Sequence, residues 1–456
     1  MKYFKLVGLI GLLTLFTTGC SINSESPEQL IKDKPVYNED KKVIYDGINQ
    51  MLTRYTKLIV PLNSTERGSI NEVDLNNDGK DEIVAFEKKE SINEDKTEVG
   101  FIVLSKNNDG TYSDKGGVLQ EGSSIEYANF YDLNNDGNLE IILLIKNQDK
   151  TNMYVYDYNE DTIKLRYKYN PTWISNKSKL TDMKVEIGFF NKDDILDVLV
   201  LNYNPNINTL YASIMNFKDG IRLIDSTSIE NVKSLSNLYT ITGNISNDKR
   251  GIVLDIPMAD DNTYITQILY MEDTKIKKAF KDNDEKYKKS YYMQSEDINN
   301  DNIIDIPIAN GNKNTYSLKS SVNVNWYNWN DKNLPESDLV FNREIYYNYQ
   351  YNFKILIPSQ LVGKFYIDQE DNSDVSVFKC DYYDSSTSQI KNIFEIHVTP
   401  KNVVEDTKNI NTTNAIIFGD SYDYTFTFYP NDNTLLDQLN INNDTLRDYF
   451  SLIYWE

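Results

Sequence analysis

The sequence predicts a mainly β fold of about five repeats, followed by a small α+β domain. Two nearly identical segments, DLNNDGKDEI and DLNNDGNLEI, begin at residues 74 and 132, and a third, DINNDNIIDI, begins at residue 297. An apolar run bounded by turn residues follows each segment, which is typical of a buried strand. The chain also has 34 Tyr and 18 Phe, and aromatic residues are common in strands. Self-similarity at a regular spacing indicates a repeat architecture.

The three segments place oxygen-bearing side chains at positions 1, 3, 5 and 9 of a short loop. Position 6 is Gly in the first two loops and Asn302 in the third, and both residue types tolerate the left-handed backbone of a sharp turn. Calcium is a hard cation that takes about six to eight oxygen ligands, so the spacing predicts calcium binding. Asp, Asn and Gly also form ordinary turns, but a turn alone does not need an acid at position 9.

The loops differ from those of EF-hands. An EF-hand needs a bidentate Glu at position 12 and a helix on each side. Position 12 here is Ala85, Leu143 or Ile308, and none of these side chains has an oxygen. A dockerin is excluded for the same reasons. We therefore expect each loop to join two strands.

This pattern resembles the FG-GAP/VCBS repeats of integrin-α-like β-propellers, whose motif D-x-N-x-D-G-x-x-D/E lies between the first two strands of a blade. The resemblance covers residues 59–340 and implies Ca²⁺ as the cofactor. The implied ligands of the first loop are Asp74, Asn76, Asp78, Glu82 and the carbonyl of Lys80. Those of the second loop are Asp132, Asn134, Asp136, Glu140 and the carbonyl of Asn138. Those of the third loop are Asp297, Asn299, Asp301, Asp305 and the carbonyl of Ile303.

Two degenerate copies lie between the second and third loops. FFNKDDILDVLVL has Phe189 in place of the first Asp, and NISNDKRGIVLDI lacks the acid at position 9. The five copies start near residues 74, 132, 189, 244 and 297. A four-stranded blade needs roughly 40–50 residues, so each interval can hold one blade. We expect five blades, of which the third and fourth have lost calcium.

The N-terminus has the pattern of an export signal with a lipidation site. Lys2 and Lys5 precede an apolar stretch at residues 6–16, which is too short to span a bilayer. TTGC at residues 17–20 resembles the lipobox of bacterial lipoproteins, in which the Cys becomes the lipidated first residue. An ordinary secretory signal is the alternative. The resemblance implies that Cys20 anchors the chain to the outer side of the bacterial cell membrane.

Composition excludes several classes of partner and chemistry. The formal net charge of −22 disfavours binding to nucleic acid or anionic lipid surfaces. The single His397 and Cys380, the one cysteine besides Cys20, both lie in strand-like patterns, so His-centred triads and multi-His zinc sites are not expected. No phosphate-binding or dinucleotide fingerprint is present. Carboxylate-pair chemistry stays open, because the chain has 69 acids.

The expected organisation has five parts. These are a signal peptide at 1–19, a tether at 20–37, an amphipathic helix at 38–58, the propeller at 59–340 and an α+β domain at 341–456. We expect the helix, at about residues 39–57, to pack on the propeller. The segment YNFKILIPSQLVGKFYI weakly resembles the opening of Mog1/PsbP-like α+β domains. A closing helix is predicted at residues 444–454, capped by Asn443 or Asp444.

The leading functional interpretation is a surface-tethered lipoprotein without catalytic activity. A calcium-rigidified propeller would present loops to a protein or glycan partner, because propellers of the resembling family often mediate adhesion. The alternative is a glycan-active hydrolase or lyase that uses carboxylates. An acid pair outside the calcium loops, facing one cleft, would favour that alternative. An accessory role in envelope assembly or sporulation is a third possibility.

Overall fold

The computed structural model describes residues 39–63, 67–90, 96–159, 162–175, 179–190, 194–259, 263–282, 284–289, 292–310, 321–331, 338–371, 374–404 and 415–453. The predicted signal peptide, Cys20 and the tether lie outside these residues.

Five antiparallel sheets follow one another along the chain. Sheet 1 contains β1 (Thr56–Leu58), β2 (Ile70–Val73), β3 (Glu82–Glu90), β4 (Thr97–Lys106) and β5 (Tyr112–Glu121). Sheet 2 contains β6 (Ser124–Tyr131), β7 (Glu140–Asn147), β8 (Lys150–Asn159) and β9 (Thr162–Lys168). Sheet 3 contains β10 (Met183–Gly188), β11 (Asp197–Asn204), β12 (Thr209–Asn216) and β13 (Arg222–Ile229). Sheet 4 contains β14 (Tyr239–Asn244), β15 (Arg250–Pro257), β16 (Tyr264–Glu272), β17 (Lys275–Lys278) and β18 (Lys288–Lys289). Sheet 5 begins with β19 (Ile306–Asn310), β20 (Ser321–Trp329), β21 (Leu339–Asn348) and β22 (Phe353–Ile357).

Neighbouring sheets share hydrophobic cores. One cluster joins sheets 1 and 2, with the rings of Phe86 and Phe130 stacked at 6.4 Å. A second joins sheets 2 and 3, where Tyr167 meets Phe217 edge to face. A third runs through sheets 3, 4 and 5. Among the residues that the structure describes, no such cluster joins sheet 5 back to sheet 1. The predicted mainly β fold of successive stacked sheets is confirmed, and the count of five blades around an axis stays a prediction.

Helix α1 (Glu39–Met51) covers the outer face of sheet 1. Its buried residues Ile44 and Ile48 pack on apolar side chains of β3 and β4. The predicted packing is therefore confirmed, but the helix is shorter than expected. The chain turns at Tyr55, whose φ is 70°, and then enters β1. In the described ranges, no helix is long and apolar enough to cross a membrane.

The C-terminal part forms a sixth sheet with short helices. Its strands are β23 (Phe365–Asp371), β24 (Ser376–Asp384), β25 (Gln389–Pro400), β26 (Ile416–Asp420) and β27 (Tyr424–Pro430), in the order β23-β24-β25-β27-β26. The helices are α2 (Lys401–Val404), α3 (Asn433–Gln438) and α4 (Asn443–Tyr449). The closing strand β28 (Phe450–Leu452) returns to pair with β22 in sheet 5. The predicted boundary after residue 340 thus falls inside β21.

Two local predictions for the C-terminus need correction. The closing helix ends at Tyr449 rather than at residue 454, because the chain there becomes strand β28. Its cap is Asn442, whose Oδ1 accepts a 3.0 Å hydrogen bond from the Thr445 N–H. Cys380 and His397 lie on strands β24 and β25, as predicted.

Candidate metal loops and a polar cavity

Loops 1, 2 and 3 are the segments 74–82, 132–140 and 297–305. Loop 1 joins β2 to β3, and loop 2 joins β6 to β7, which confirms that each of these loops joins two paired strands. Loop 3 precedes β19, and the strand before it is reduced to the single bridge between Glu296 and Asp305. Each loop therefore leads into a strand of its sheet.

The Asp at position 1 organises each loop by accepting two backbone N–H groups. In loop 1, Asp74 accepts from Asp78 at 3.1 Å and from Gly79 at 2.9 Å. The equivalent distances are 3.1 and 2.9 Å for Asp132 and 3.1 and 2.8 Å for Asp297. The first ligand position is thus held in one geometry in three separate sheets.

Positions 3 and 5 repeat just as closely. The side-chain oxygen at position 3 accepts the N–H of position 5, at 3.1, 2.8 and 3.2 Å in loops 1 to 3. The Asp at position 5 accepts the N–H of position 7, at 2.9, 2.8 and 2.8 Å. These contacts hold the oxygen side chains of positions 1, 3 and 5 against the same short stretch of backbone.

The backbone is left-handed at two positions of each loop. Position 6 has φ values of 82° at Gly79, 91° at Gly137 and 65° at Asn302, which confirms that Asn can replace Gly there. Position 4, which the sequence analysis did not single out, is also left-handed in all three loops. It is occupied by Asn77, Asn135 and Asn300, with φ values of 55°, 60° and 60°. The signal for it was available, because the same Asn recurs at position 4.

The acid at position 9 is buried beneath the loop. Glu82 and Glu140 are 2% exposed and Asp305 is fully buried. Each accepts the backbone N–H of position 2, at 3.1, 2.8 and 3.2 Å. Burial raises the pKa of Glu82, raises that of Glu140 to about 7 and raises that of Asp305 to about 6. Withdrawal from water therefore opposes ionisation of this carboxyl group, and a nearby cation would favour it.

The donor chemistry of the loops fits a hard cation. In loop 2, the amide nitrogen of Asn134 lies 2.9 Å from both Asp136 Oδ2 and Glu140 Oε1, so a positive dipole occupies the space between two carboxylates. Each hydrogen-bonded carboxylate oxygen keeps a further lone pair. No group of three or more His, Cys, Asp or Glu side chains converges on one point in the described ranges. The residues that could hold calcium are therefore a mixed set of Asp, Asn and Glu side chains with one carbonyl.

The degenerate loops are built differently. In the loop of sheet 3, residues 191–193 lie outside the described part, and Asp197 at position 9 is buried and accepts from Asn216 Nδ2 at 3.1 Å. In the turn of sheet 4, Ile245 and Ser246 both donate their N–H groups to the Lys249 carbonyl, at 2.9 and 3.3 Å. In that turn the backbone N–H groups donate to a backbone carbonyl, whereas in loops 1 to 3 they donate to carboxylates.

Adjacent loops are hydrogen-bonded to one another. The Leu139 N–H in loop 2 donates to the Leu75 carbonyl in loop 1 at 2.8 Å. The Ile304 N–H in loop 3 donates to the Asn244 carbonyl, just before the turn of sheet 4, at 2.9 Å. The loops of neighbouring sheets therefore lie side by side along one edge of the stack.

A polar cavity of about 640 Å³ lies between sheets 2 and 3 and the segment that leads into sheet 4. Glu126 lines it from β6, and further polar lining comes from Tyr127, Tyr131, Lys146, Asp182, Lys184 and Glu186. None of these residues belongs to loops 1 to 3. That these residues lie together was not predicted, because Glu126 of β6 and Glu186 of β10 are 60 positions apart in the chain.

Ion pairs and a tyrosine pair fix the side chains of the cavity. Lys146 Nζ lies 2.5 Å from Asp182 Oδ1, and Lys184 Nζ lies 3.3 Å from Glu186 Oε1. The hydroxyl oxygens of Tyr127 and Tyr131 are 3.1 Å apart. Burial raises the pKa of Tyr127 well above its usual value. The cavity therefore offers two phenol hydroxyls and two lysine–carboxylate pairs.

The repeated strand–loop–strand units and the stacked sheets define a β-propeller type of protein. Within that class, a family model for the FG-GAP-like repeat matches residues 74–143, the segment that runs from loop 1 through loop 2 into β7. This match confirms the predicted FG-GAP resemblance for the first two loops. No curated protein matches the chain.

Solved structures with a detectable likeness have low identity. The exotype rhamnogalacturonan lyase YesX is 12% identical, over 75% of this chain and 69% of the lyase, with a TM-score of 0.29. A Lactobacillus plantarum protein is 10% identical, over 65% of this chain and 91% of its own, with a TM-score of 0.25. The exo-inulinase of Aspergillus awamori is 9% identical, over 82% and 86%, with a TM-score of 0.27. At these scores the likenesses carry no conclusion on activity.

Proposed function

We propose that this protein is a membrane-tethered, extracytoplasmic lipoprotein whose calcium-binding propeller engages a protein or glycan partner. The observation that carries the proposal is the threefold repetition of one loop geometry. Three loops in three sheets share the same carboxylate contacts and the same pair of left-handed residues. Ordinary turns vary freely in sequence, so a common network of oxygen side chains supports a common ligand, for which calcium has the matching chemistry.

In this proposal calcium has a structural role. Each predicted ligand set has three carboxylates, and a bound Ca²⁺ lowers the formal charge of that set from −3 to −1. The cation would favour ionisation of the buried acid at position 9 and would fix the hairpin that starts each sheet. A ligand that binds only the folded state stabilises that state by mass action.

The direct test is calcium binding by the metal-free protein. Isothermal titration with CaCl₂ should give a stoichiometry of three, since three loops keep the complete ligand pattern. Asp132→Ala should lower the stoichiometry to two. A flat titration of protein that elemental analysis shows to be metal-free would refute the calcium proposal.

The anchoring part of the proposal rests on the TTGC sequence at residues 17–20. Replacing Cys20 by Ala should release the protein from the membrane fraction or leave an unprocessed precursor. Wild-type fractionation and gel mobility of the variant would refute lipidation at this residue without affecting the calcium proposal.

A second candidate function is a carboxylate-based, glycan-active enzyme. The observation that favours it is that Glu126, Asp182 and Glu186 line one cavity outside the calcium loops. Against it, Asp182 and Glu186 each form an ion pair with a lysine. A screen for product release from polysaccharides and peptidoglycan, with Glu126→Gln as the control, separates the two candidates. Glu126-dependent cleavage would replace the binding proposal with the enzymatic one.

A further inference from the structure

We propose that the polar cavity between sheets 2 and 3 is a binding site for a neutral oligosaccharide. The inference deepens the proposed function, since it rests on the protein being a ligand-binding propeller and names the site and the ligand class. It does not depend on the calcium loops, none of which lines the cavity.

The size and walls of the cavity suit a small ligand. Its volume of about 640 Å³ lies within the roughly 300–1,000 Å³ typical of ligand sites. The lining side chains of β6 and β10 stand on paired strands of two sheets that share a buried core. Groups on strands are held more rigidly than groups on loops, so they lose little conformational freedom when a ligand binds.

The charge pattern disfavours an anionic ligand. The lysines of the cavity are each paired with a carboxylate, as the Lys146–Asp182 and Lys184–Glu186 contacts show. An anionic ligand would have to displace a carboxylate from one of these lysines, and the net charge of −22 also repels polyanions such as uronic-acid chains. A sugar hydroxyl, in contrast, can donate to a paired carboxylate and accept from a paired ammonium without separating them.

The remaining lining adds apolar surface and an ordered pair of phenols. Leu235, which is only partly buried, contributes an apolar side chain, against which the C–H face of a sugar ring can pack. The tyrosine pair is fixed from behind, because Asn129 Nδ2 donates to the Tyr131 hydroxyl at 2.9 Å and Arg67 Nε donates to Asn129 Oδ1 at 2.8 Å. Convergent polar groups on an apolar wall are the usual make-up of a small-molecule site.

The experiment uses the full protein in millimolar calcium on an array of neutral and uronic-acid oligosaccharides. The best neutral tetrasaccharide is then measured by calorimetry. We expect 1:1 binding that Tyr127→Phe and Glu186→Gln each weaken at least tenfold. Tyr366→Ala is the matched control, because Tyr366 is a half-exposed tyrosine of β23 outside the cavity, and it should bind as wild type does.

Three outcomes would overturn the inference. They are no binding to any neutral oligosaccharide, binding only to uronic-acid chains, and binding that both cavity variants leave unchanged. The calcium titration of the same variants separates this result from the proposed function. If Glu186→Gln still binds three calcium ions while wild-type protein binds no sugar, the glycan site is refuted and the calcium-binding propeller stands.

Discussion

Loops 1 to 3 and the turn of sheet 4 occupy equivalent places in successive sheets but hold their shape by different means. In the three loops, carboxylates accept the backbone N–H groups. In the turn of sheet 4, the Lys249 carbonyl accepts them. A turn closed by neutral backbone groups needs no counter-charge, whereas a turn closed by several carboxylates gathers negative charge that a cation can relieve. Under the proposed function, the group that accepts these N–H hydrogen bonds therefore decides whether a turn takes a metal.

Sheet 4 also contains an internal cation. Lys289 Nζ lies 2.6 Å from Asp255 Oδ1, and both side chains are almost completely buried. Asp255 also accepts from Thr266 Oγ1 and from the Ser295 N–H, each at 2.7 Å. Burial lowers the pKa of Lys289, and the adjacent carboxylate opposes that effect. Sheet 4, one of the two sheets with a degenerate loop, thus carries its own buried ion pair, and the following predictions test this contrast.

The largest expected effect is that of removing calcium. With dissociation constants of about 0.1–1 mM and calcium at about 10 mM, each loop adds about 1.4–2.7 kcal/mol, so three loops add about 4–8 kcal/mol to the free energy of unfolding. Thermal unfolding in excess chelator should therefore show a clearly lower melting temperature than in calcium. Magnesium at the same concentration is the control, since it prefers a rigid octahedral site. Superimposable curves in chelator and calcium would mean that these loops are only turns.

The next effect concerns the ion pair of sheet 4. Lys289→Met leaves the Asp255 carboxylate buried without its cation and should cost about 3–5 kcal/mol in denaturant unfolding, with or without calcium. Lys275→Met is the matched control. Lys275 Nζ lies 3.0 Å from Asp225 Oδ1, but the lysine side chain is 65% exposed. The expected loss of unfolding free energy is therefore only about 0–1 kcal/mol. Equal losses of unfolding free energy in the two variants would show that the buried pair stabilises the protein no more than the exposed pair does.

A smaller effect separates an intact loop from the degenerate turn. Asp136→Ala removes position 5 of loop 2 and should reduce the calcium-induced stabilisation by about 1.4–2.7 kcal/mol, the contribution of one loop. Asp248→Ala changes the same position in the turn of sheet 4 and should leave the calcium effect unchanged. The measurement is the difference between the free energies of unfolding in calcium and in chelator. A loss in Asp248→Ala as large as that in Asp136→Ala would contradict the distinction between the two kinds of turn.

The smallest effects test the left-handed residue at position 6. Asn302→Gly relieves residual strain at a φ of 65° and should stabilise the protein by about 0.5 kcal/mol. Gly137→Ala does the reverse at a φ of 91° and should cost about 1 kcal/mol. A Cβ at Gly137 would also lie 3.1 Å from Asn77 Nδ2 of loop 1. Chemical denaturation in chelator measures both changes, and the same sign in both would show that backbone strain at position 6 is not the cause.

Local patterns in the sequence predicted the loops, the strands around them and the helix that packs on sheet 1. These features depend on residues close together in the chain, such as the Gly or Asn at position 6. What could not be predicted depends on distant pairing. The return of β28 to β22, the Lys289–Asp255 pair and the cavity between β6 and β10 each join residues 30 or more positions apart. Burial of Glu82 beneath its own loop was also missed. An acid at position 9 fits the ligand pattern whether its side chain is exposed or buried, so the pattern does not predict burial.

Helix α1 has a consequence for how molecules of this protein meet one another. A row of stacked sheets ends in an apolar face, and such a face invites a second copy to add to the row. Ile44 and Ile48 cover that face on sheet 1, and they belong to the same chain, so they compete at a far higher effective concentration than any neighbour. Helix α1 therefore keeps an apolar face of sheet 1 from contact with a second copy of the chain.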